Sequence, residues 1–223
     1  MLIAEDLLLL LYDDQTGKPI TGAPGLDYAL AGAVLIELTL QRKVDITTEG
    51  KAGRLRVLDG TPTGDPILDE RLAYVVGKPG KKPKDQIGKL SKHLREQLLA
   101  RLADRGILQA DQGKVLGLFP VTRWPARDAR HEQEVRTRLH GVLAQGLQPD
   151  ERTGALVALV NALNVVPKVV TDAVDKRALK RRAKEIAESD WAADAVKKAV
   201  AEMQAAVTTA IVVSATAASA GSS

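Results

Sequence analysis

Two strongly apolar stretches, Met1–Leu11 and about Asp27 to Gln41, open the chain, and the apolar positions of the second leave little polar face. Met1–Leu11 reads as a buried helix, about Ala4 to Tyr12, because Glu5 and Asp6 stand where a secretory leader would carry basic residues. The polar turn Asp13-Asp-Gln-Thr-Gly-Lys-Pro19 ends it, and a second helix, about Asp27 to Gln41, belongs at the centre. Glu37 is a lone acid among apolar neighbours in that helix, which predicts a paired structural carboxylate.

The period then changes. Val44-Asp-Ile-Thr and Leu55-Arg-Val-Leu alternate apolar and polar residues around Glu49–Gly53, the pattern of a β-hairpin. Asp65 and Pro66 supply a cap and a first-turn proline for a helix that Gly77 ends. Lys78–Lys84, with its prolines and crowded like charges, reads as an exposed loop. Ile87, Leu90, Leu94, Leu98 and Leu102 mark one stripe at helical spacing, so a helix from about Asp85 is predicted to stop at Gly106. A second hairpin follows, roughly Ile107 to Trp124. Further helices are expected at about Ala129–Gln145, at about Asp150–Val165 and from about Lys168, the last broken near Ser189-Asp190. The fold class is mainly α: a single globular helical domain with two short β-hairpins over residues 1–216, and a flexible tail at 217–223.

Composition agrees. A chain of 223 residues with 45% hydrophobic content can bury one sizeable core, and with 3% aromatics that core is aliphatic. The absence of cysteine removes disulfides, thiolate zinc sites and cysteine nucleophiles, and fits a reducing, cytoplasmic setting. The Thr- and Ser-diluted apolar stretch near Ala205–Ala220 is a poor membrane span. No phosphate-binding loop, nucleophile elbow or metal-spaced histidine pair occurs, so no catalytic residue, metal or cofactor is expected.

Charge changes the picture more by placement than by its net value of +4. Lys78 to Arg95 holds seven basic residues against one acid, Asp85. Lys92 and Arg95, three apart, would be neighbours beside the leucine stripe and could share a phosphate. The tip of the second hairpin, Val115-Leu-Gly-Leu-Phe-Pro120, is too short to point all its apolar groups inward. Cations beside exposed apolar groups suit a membrane surface. A second basic run, Lys176-Arg177 and Lys180–Lys184, reads as a solvated face or a secondary contact.

Leu35-Ile-Glu-Leu-Thr-Leu40, Pro62-Thr-Gly-Asp65 with Leu68-Asp-Glu70, and Leu94-Arg-Glu to Gly106-Ile-Leu108 together resemble the Golgi phosphoprotein 3 family, collinearly from Leu2 to about Thr216. The resemblance implies a largely helical domain that binds phosphatidylinositol 4-phosphate and sits peripherally on a cytosolic membrane face. Lys92 and Arg95 match two basic residues of the family's headgroup pocket. The family's Trp and a further Arg are replaced at about Gly22 and Ala31. Leu116, Leu118 and Phe119 match the apolar hairpin used for bilayer insertion and in some members for self-association, and the resemblance also implies membrane-protein cargo. A short, cysteine-free, alanine-rich chain that starts almost at its first helix, without the basic leading segment of the Golgi members, resembles a bacterial relative. Two other classes remain open on the residues alone. Helix, glycine stop and hairpin also describe a winged-helix nucleic-acid binder, although an apolar wing tip disfavours it. A protein adaptor could dock through the hairpin or the Lys78–Lys84 loop.

Overall fold

In the computed structural model, residues 1–47, 53–115, 119–171, 175–189, 192 and 194–220 are described, and they form ten helices and four short strands. The innermost elements are α1 (Ile3–Leu10) and α2 (Ala23–Leu40). Every residue of α1 is buried, its two acids included. Around α2 pack α3 (Pro66–Val76), α4 (Pro83–Leu90), α5 (Leu94–Asp104), α7 (Glu151–Ala162) and α10 (Asp194–Ala220). Gly32 lets α10 come close, because a β-carbon there would lie 3.3 Å from that of Met203. On the remaining flank, α6 (Arg130–Ala144) lies on α1, and the short α8 (Val166–Val169) and α9 (Lys176–Glu188) cover α7.

The first hairpin pairs β1 (Val44–Thr47) with β2 (Arg54–Val57) in antiparallel register, Val44 opposite Val57. The expected loop at 78–84 is more ordered than its charges suggest. Leu55 N–H donates to Lys81 O at 2.9 Å and Gly80 N–H donates to Leu55 O at 3.0 Å, so the loop occupies the free edge of β2 before Pro83 opens α4. The second hairpin pairs β3 (Asp111–Val115) with β4 (Phe119–Arg123), Val115 opposite Phe119. The break near Ser189 occurs where α9 ends; a second break, between α8 and α9, is additional. The boundary drawn at 216 falls inside α10, and 221–223 lie outside the described residues.

One expected helix is divided. The leucine stripe is buried throughout, but α4 ends at Leu90 and α5 begins at Leu94. Across the gap the bonds shorten to three residues, Lys92 N–H to Lys89 O and Leu94 N–H to Ser91 O, and His93 adopts a left-handed φ of 57°. Both halves still face the core, so burial alone carries the apolar pattern across the break.

The base of the second hairpin is fastened to the connection between α1 and α2. Trp124 N–H donates to Gly17 O at 3.0 Å and Ala126 N–H donates to Asp14 O at 2.9 Å. Gly17 sits at φ +61°, and a β-carbon there would lie 2.3 Å from Trp124 N. Gly17→Ala therefore combines left-handed strain with a backbone clash, and a loss of about 2–4 kcal/mol is expected in urea unfolding. An unchanged midpoint would show that this junction is not tight.

Close by, Glu132 of α6 is 2% exposed and accepts from Arg136 Nε at 2.6 Å. Burial, aided by a hydrogen bond shared with Asp14, pushes its carboxyl up to about 8, against the lowering effect of Arg136. The folded state thus holds this proton more tightly than the unfolded chain does. The stability it gives is complete below the ordinary carboxylate range and is lost as pH rises toward about 8. Glu132→Gln should gain on the native chain between about pH 5 and 8, by at most about 1.4 kcal/mol per unit. Parallel stability curves for the two proteins would contradict this.

Candidate functional site

The site begins with α3. Asp65 caps it, its Oδ1 accepting from Ile67 N–H at 2.9 Å and Leu68 N–H at 3.2 Å, while its Oδ2 pairs with Arg101 at 2.7 Å. Asp69 accepts from both the amide and the hydroxyl of Thr63 at 2.6 Å. The polar groups of the Thr-Gly-Asp-Pro stretch are thus consumed in shaping the helix entry. Among the described residues no cluster of acids or histidines could hold a metal.

In the second turn of α3, Arg71 points inward and is 3% exposed. Its Nε donates to Leu90 O at 3.4 Å, a second nitrogen donates to Lys92 O at 3.2 Å, and the third pairs with Glu70. The carbonyl of Leu90 ends α4 and that of Lys92 lies in the turn beyond it, so one guanidinium fork serves both of them and holds the 91–93 turn. Burial lowers the Arg71 pKa from its ordinary value, and Glu70 opposes that shift. Sequence reading does not single out Arg71. Its only signal is an arginine on the apolar side of α3.

Lys92 lies in this turn and is exposed. With Glu70, Arg71, Tyr74, Lys89, Leu90 and His93 it lines a cleft of about 390 Å³. Arg95, in the first turn of α5, is half-buried against α2: its Nε lies 3.1 Å from Asp27 Oδ1, and a terminal nitrogen lies 3.4 Å from Oδ2. Burial raises the pKa of the Asp27 carboxyl against the pull of Arg95, and burial raises that of the Tyr12 phenol likewise. The two basic residues expected to share a phosphate therefore flank one turn, with Lys92 lining the cleft and Arg95 held by an acid. Gly22 is the exposed N-cap of α2, and Ala31 is fully buried.

Tyr12, whose phenol faces Arg95, stands just ahead of the connection, residues 13–19, that receives the base of the second hairpin. Of the apolar tip residues, Leu116 and Leu118 lie outside the described residues, and Phe119 is described only as the first backbone position of β4. On α9, Lys176, Arg177, Lys180, Arg181 and Lys184 are exposed, while Leu179, Ala183 and Ile186 face inward. Among the described residues no helix is long and apolar enough to cross a membrane.

A sequence model of the family described as Golgi phosphoprotein 3 (GPP34) matches residues 3–203. The chain is also similar to a protein named vacuolar protein sorting-associated protein 74 from Eremothecium gossypii, 26% identical over 203 residues. That alignment covers 76% of this chain and 61% of the relative, so the match spans under two thirds of the relative's length.

The staple at the turn is testable alone. Arg71→Met keeps the bulk but strands two carbonyls, at an expected cost of about 2–3 kcal/mol. Amide exchange should accelerate most at residues 91–94. Uniform acceleration across the chain would contradict a local staple.

Proposed function

The chain belongs to the Golgi phosphoprotein 3 (GPP34) family, and from that premise we propose that it is a non-catalytic peripheral membrane protein that binds anionic phosphoinositide-type lipid on a cytosolic membrane face. Phosphatidylinositol 4-phosphate is the lipid the family resemblance implies. Lys92 and Arg95 are the headgroup residues, and Leu116, Leu118 and Phe119 are the apolar groups that enter the bilayer. Membrane-protein cargo and self-association through the hairpin belong to the same reading.

The observation that carries it is the 91–93 turn, which is fixed from beneath by Arg71 and presents Lys92, with Lys89 one turn before it, to solvent. Ammonium groups in such positions contribute about 1 kcal/mol each near an anionic surface. Nucleic-acid recognition by α5 is disfavoured because its arginines face acids: Arg95 meets Asp27, Arg101 meets Glu5 and Asp65, and Arg105 meets Glu5. A recognition helix reads base edges with several such groups at once, and here the three arginines along and at the end of α5 are all engaged by acids.

Flotation with phosphatidylcholine vesicles, with and without phosphatidylinositol 4-phosphate, tests the proposal. Lys92→Glu should weaken the lipid-dependent fraction by about tenfold or more, since reversing one charge changes the electrostatic term by about 2 kcal/mol. Leu118→Asp with Phe119→Asp should abolish binding while leaving the unfolding midpoint in place. Equal flotation by all proteins, or a duplex DNA shift at matched salt without flotation, would overturn it.

A further inference from the structure

The basic run of α9 stands apart from the 91–93 turn. Buried Leu179, Ala183 and Ile186 set the helix on its neighbours α6, α7 and α8, and Arg182 reaches back to Val142 O and Leu147 O, each at 3.4 Å. Its outer face is thereby fixed in orientation and carries Lys176, Arg177, Lys180, Arg181 and Lys184, all exposed. The helix that leads into the turn, α4, packs instead on α2 and α10, so the two cationic surfaces rest on different helices.

This arrangement works against the helix itself. Cations near a helix start and acids near its end oppose the helix dipole, and α9 opens on Lys176 and Arg177, has no acid in its first turn and closes on Glu188. Lys176 and Lys180, Arg177 and Arg181, and Lys180 and Lys184 are like charges four residues apart, which repel. Partners within the helix come late and at long range, Arg181 to Glu185 and Lys184 to Glu188, both at 3.9 Å. Among the described residues no ion pair holds Lys176, Arg177 or Lys180. Asp175 is engaged as the cap, accepting from Arg177 N–H at 2.8 Å and Ala178 N–H at 3.0 Å, so side-chain cations, and not helix-end amides, face a ligand. A partner that supplies the missing anions accounts for a charge pattern that the stability of α9 does not.

The charge changes sign along the face. Lys176 to Lys184 covers about 12 Å of helix, and beyond it Glu185 and Glu188 are exposed. A long phosphate backbone or a broad anionic bilayer would meet those acids together with the cations. The exposed side chains of α9 include neither an aromatic ring on which a base could stack nor a large apolar group to enter a bilayer. A short extended chain fits better. About four of its residues span the cationic stretch, and side chains on one of its sides recur at about 6.8 Å, close to the rise of about 6 Å between helix residues four apart.

We propose that the outer face of α9 docks a short acidic segment of a partner protein, about four residues rich in Asp and Glu. This surface is independent of lipid binding at the 91–93 turn, so one molecule can engage both at once.

Anisotropy of a fluorescein-labelled hexaglutamate peptide, titrated with the full chain at low salt, tests it. Lys180→Glu with Arg181→Glu should weaken binding about tenfold or more. Lys78→Glu with Lys81→Glu, the same change in net charge on an exposed loop, should alter it by less than about twofold. Lys176→Gln with Arg177→Gln should weaken the peptide and yet raise the thermal midpoint by about 1–4 °C, because it relieves the dipole; a purely structural α9 would not couple those two changes. The proposal is overturned if the native chain does not bind hexaglutamate, or if both charge reversals weaken binding equally, which would reduce the effect to net charge. It is also overturned if Lys180→Glu with Arg181→Glu keeps the peptide bound and loses instead phosphatidylserine vesicles, which would assign the face to a membrane, or duplex RNA at matched salt, which would assign it to nucleic acid.

Discussion

A helix that begins inside an apolar core must bring acceptors for its first amide groups, and α1 begins there. Leu2 N–H donates to Glu5 Oε2 at 2.7 Å and Ile3 N–H to Glu37 Oε2 at 2.9 Å. Two carboxylates so deeply placed need cations. Glu5 takes Arg101 at 2.8 Å and Arg105 at 3.1 Å from α5, and Glu37 takes Arg152 at 2.6 Å from α7. Four helices are tied at one point. The same α5 places Arg95 against Asp27 of α2 in its first turn, just after the 91–93 turn that joins it to α4.

The deeply placed acids and helix-end carbonyls are met by guanidinium groups, planar and rich in donors: Arg71 on the carbonyls around the 91–93 turn, Arg101 and Arg152 on buried acids, Arg136 on Glu132 and Val169 O. Other arginines, Arg56, Arg130 and Arg181 among them, lie at the surface, as do Lys89 and Lys92. A site built from lysines on a rigid turn binds an anion by position and charge more than by bidentate geometry.

Much of the fold was legible. Asp65, Pro66 and Gly77 delimit α3 at both ends, the alternation at 44–47 and 54–57 gives the first hairpin, and Glu37 has the paired carboxylate its surroundings demand. These are local rules, or burial rules that a single residue expresses. The division of α4 from α5 was not legible, because no glycine or proline marks it. It follows from Arg71, nineteen residues before the carbonyl of Leu90 that it holds. The family match over residues 3–203 agrees with the motif-based resemblance. Lys92 and Arg95 could be singled out by charge and spacing, but their different partners could not, because Asp27 lies sixty-eight residues from Arg95 and reads as an ordinary helix acid.

The proposal that the stapled turn is where anionic ligand meets this protein is tested most directly by amide chemical shifts of the full chain during titration with inositol 1,4-bisphosphate. Changes are expected to concentrate at Lys89–Arg95 and around Glu70–Tyr74, and to saturate together. Changes confined to α9, or a ligand-independent spectrum from the folded protein, would contradict it.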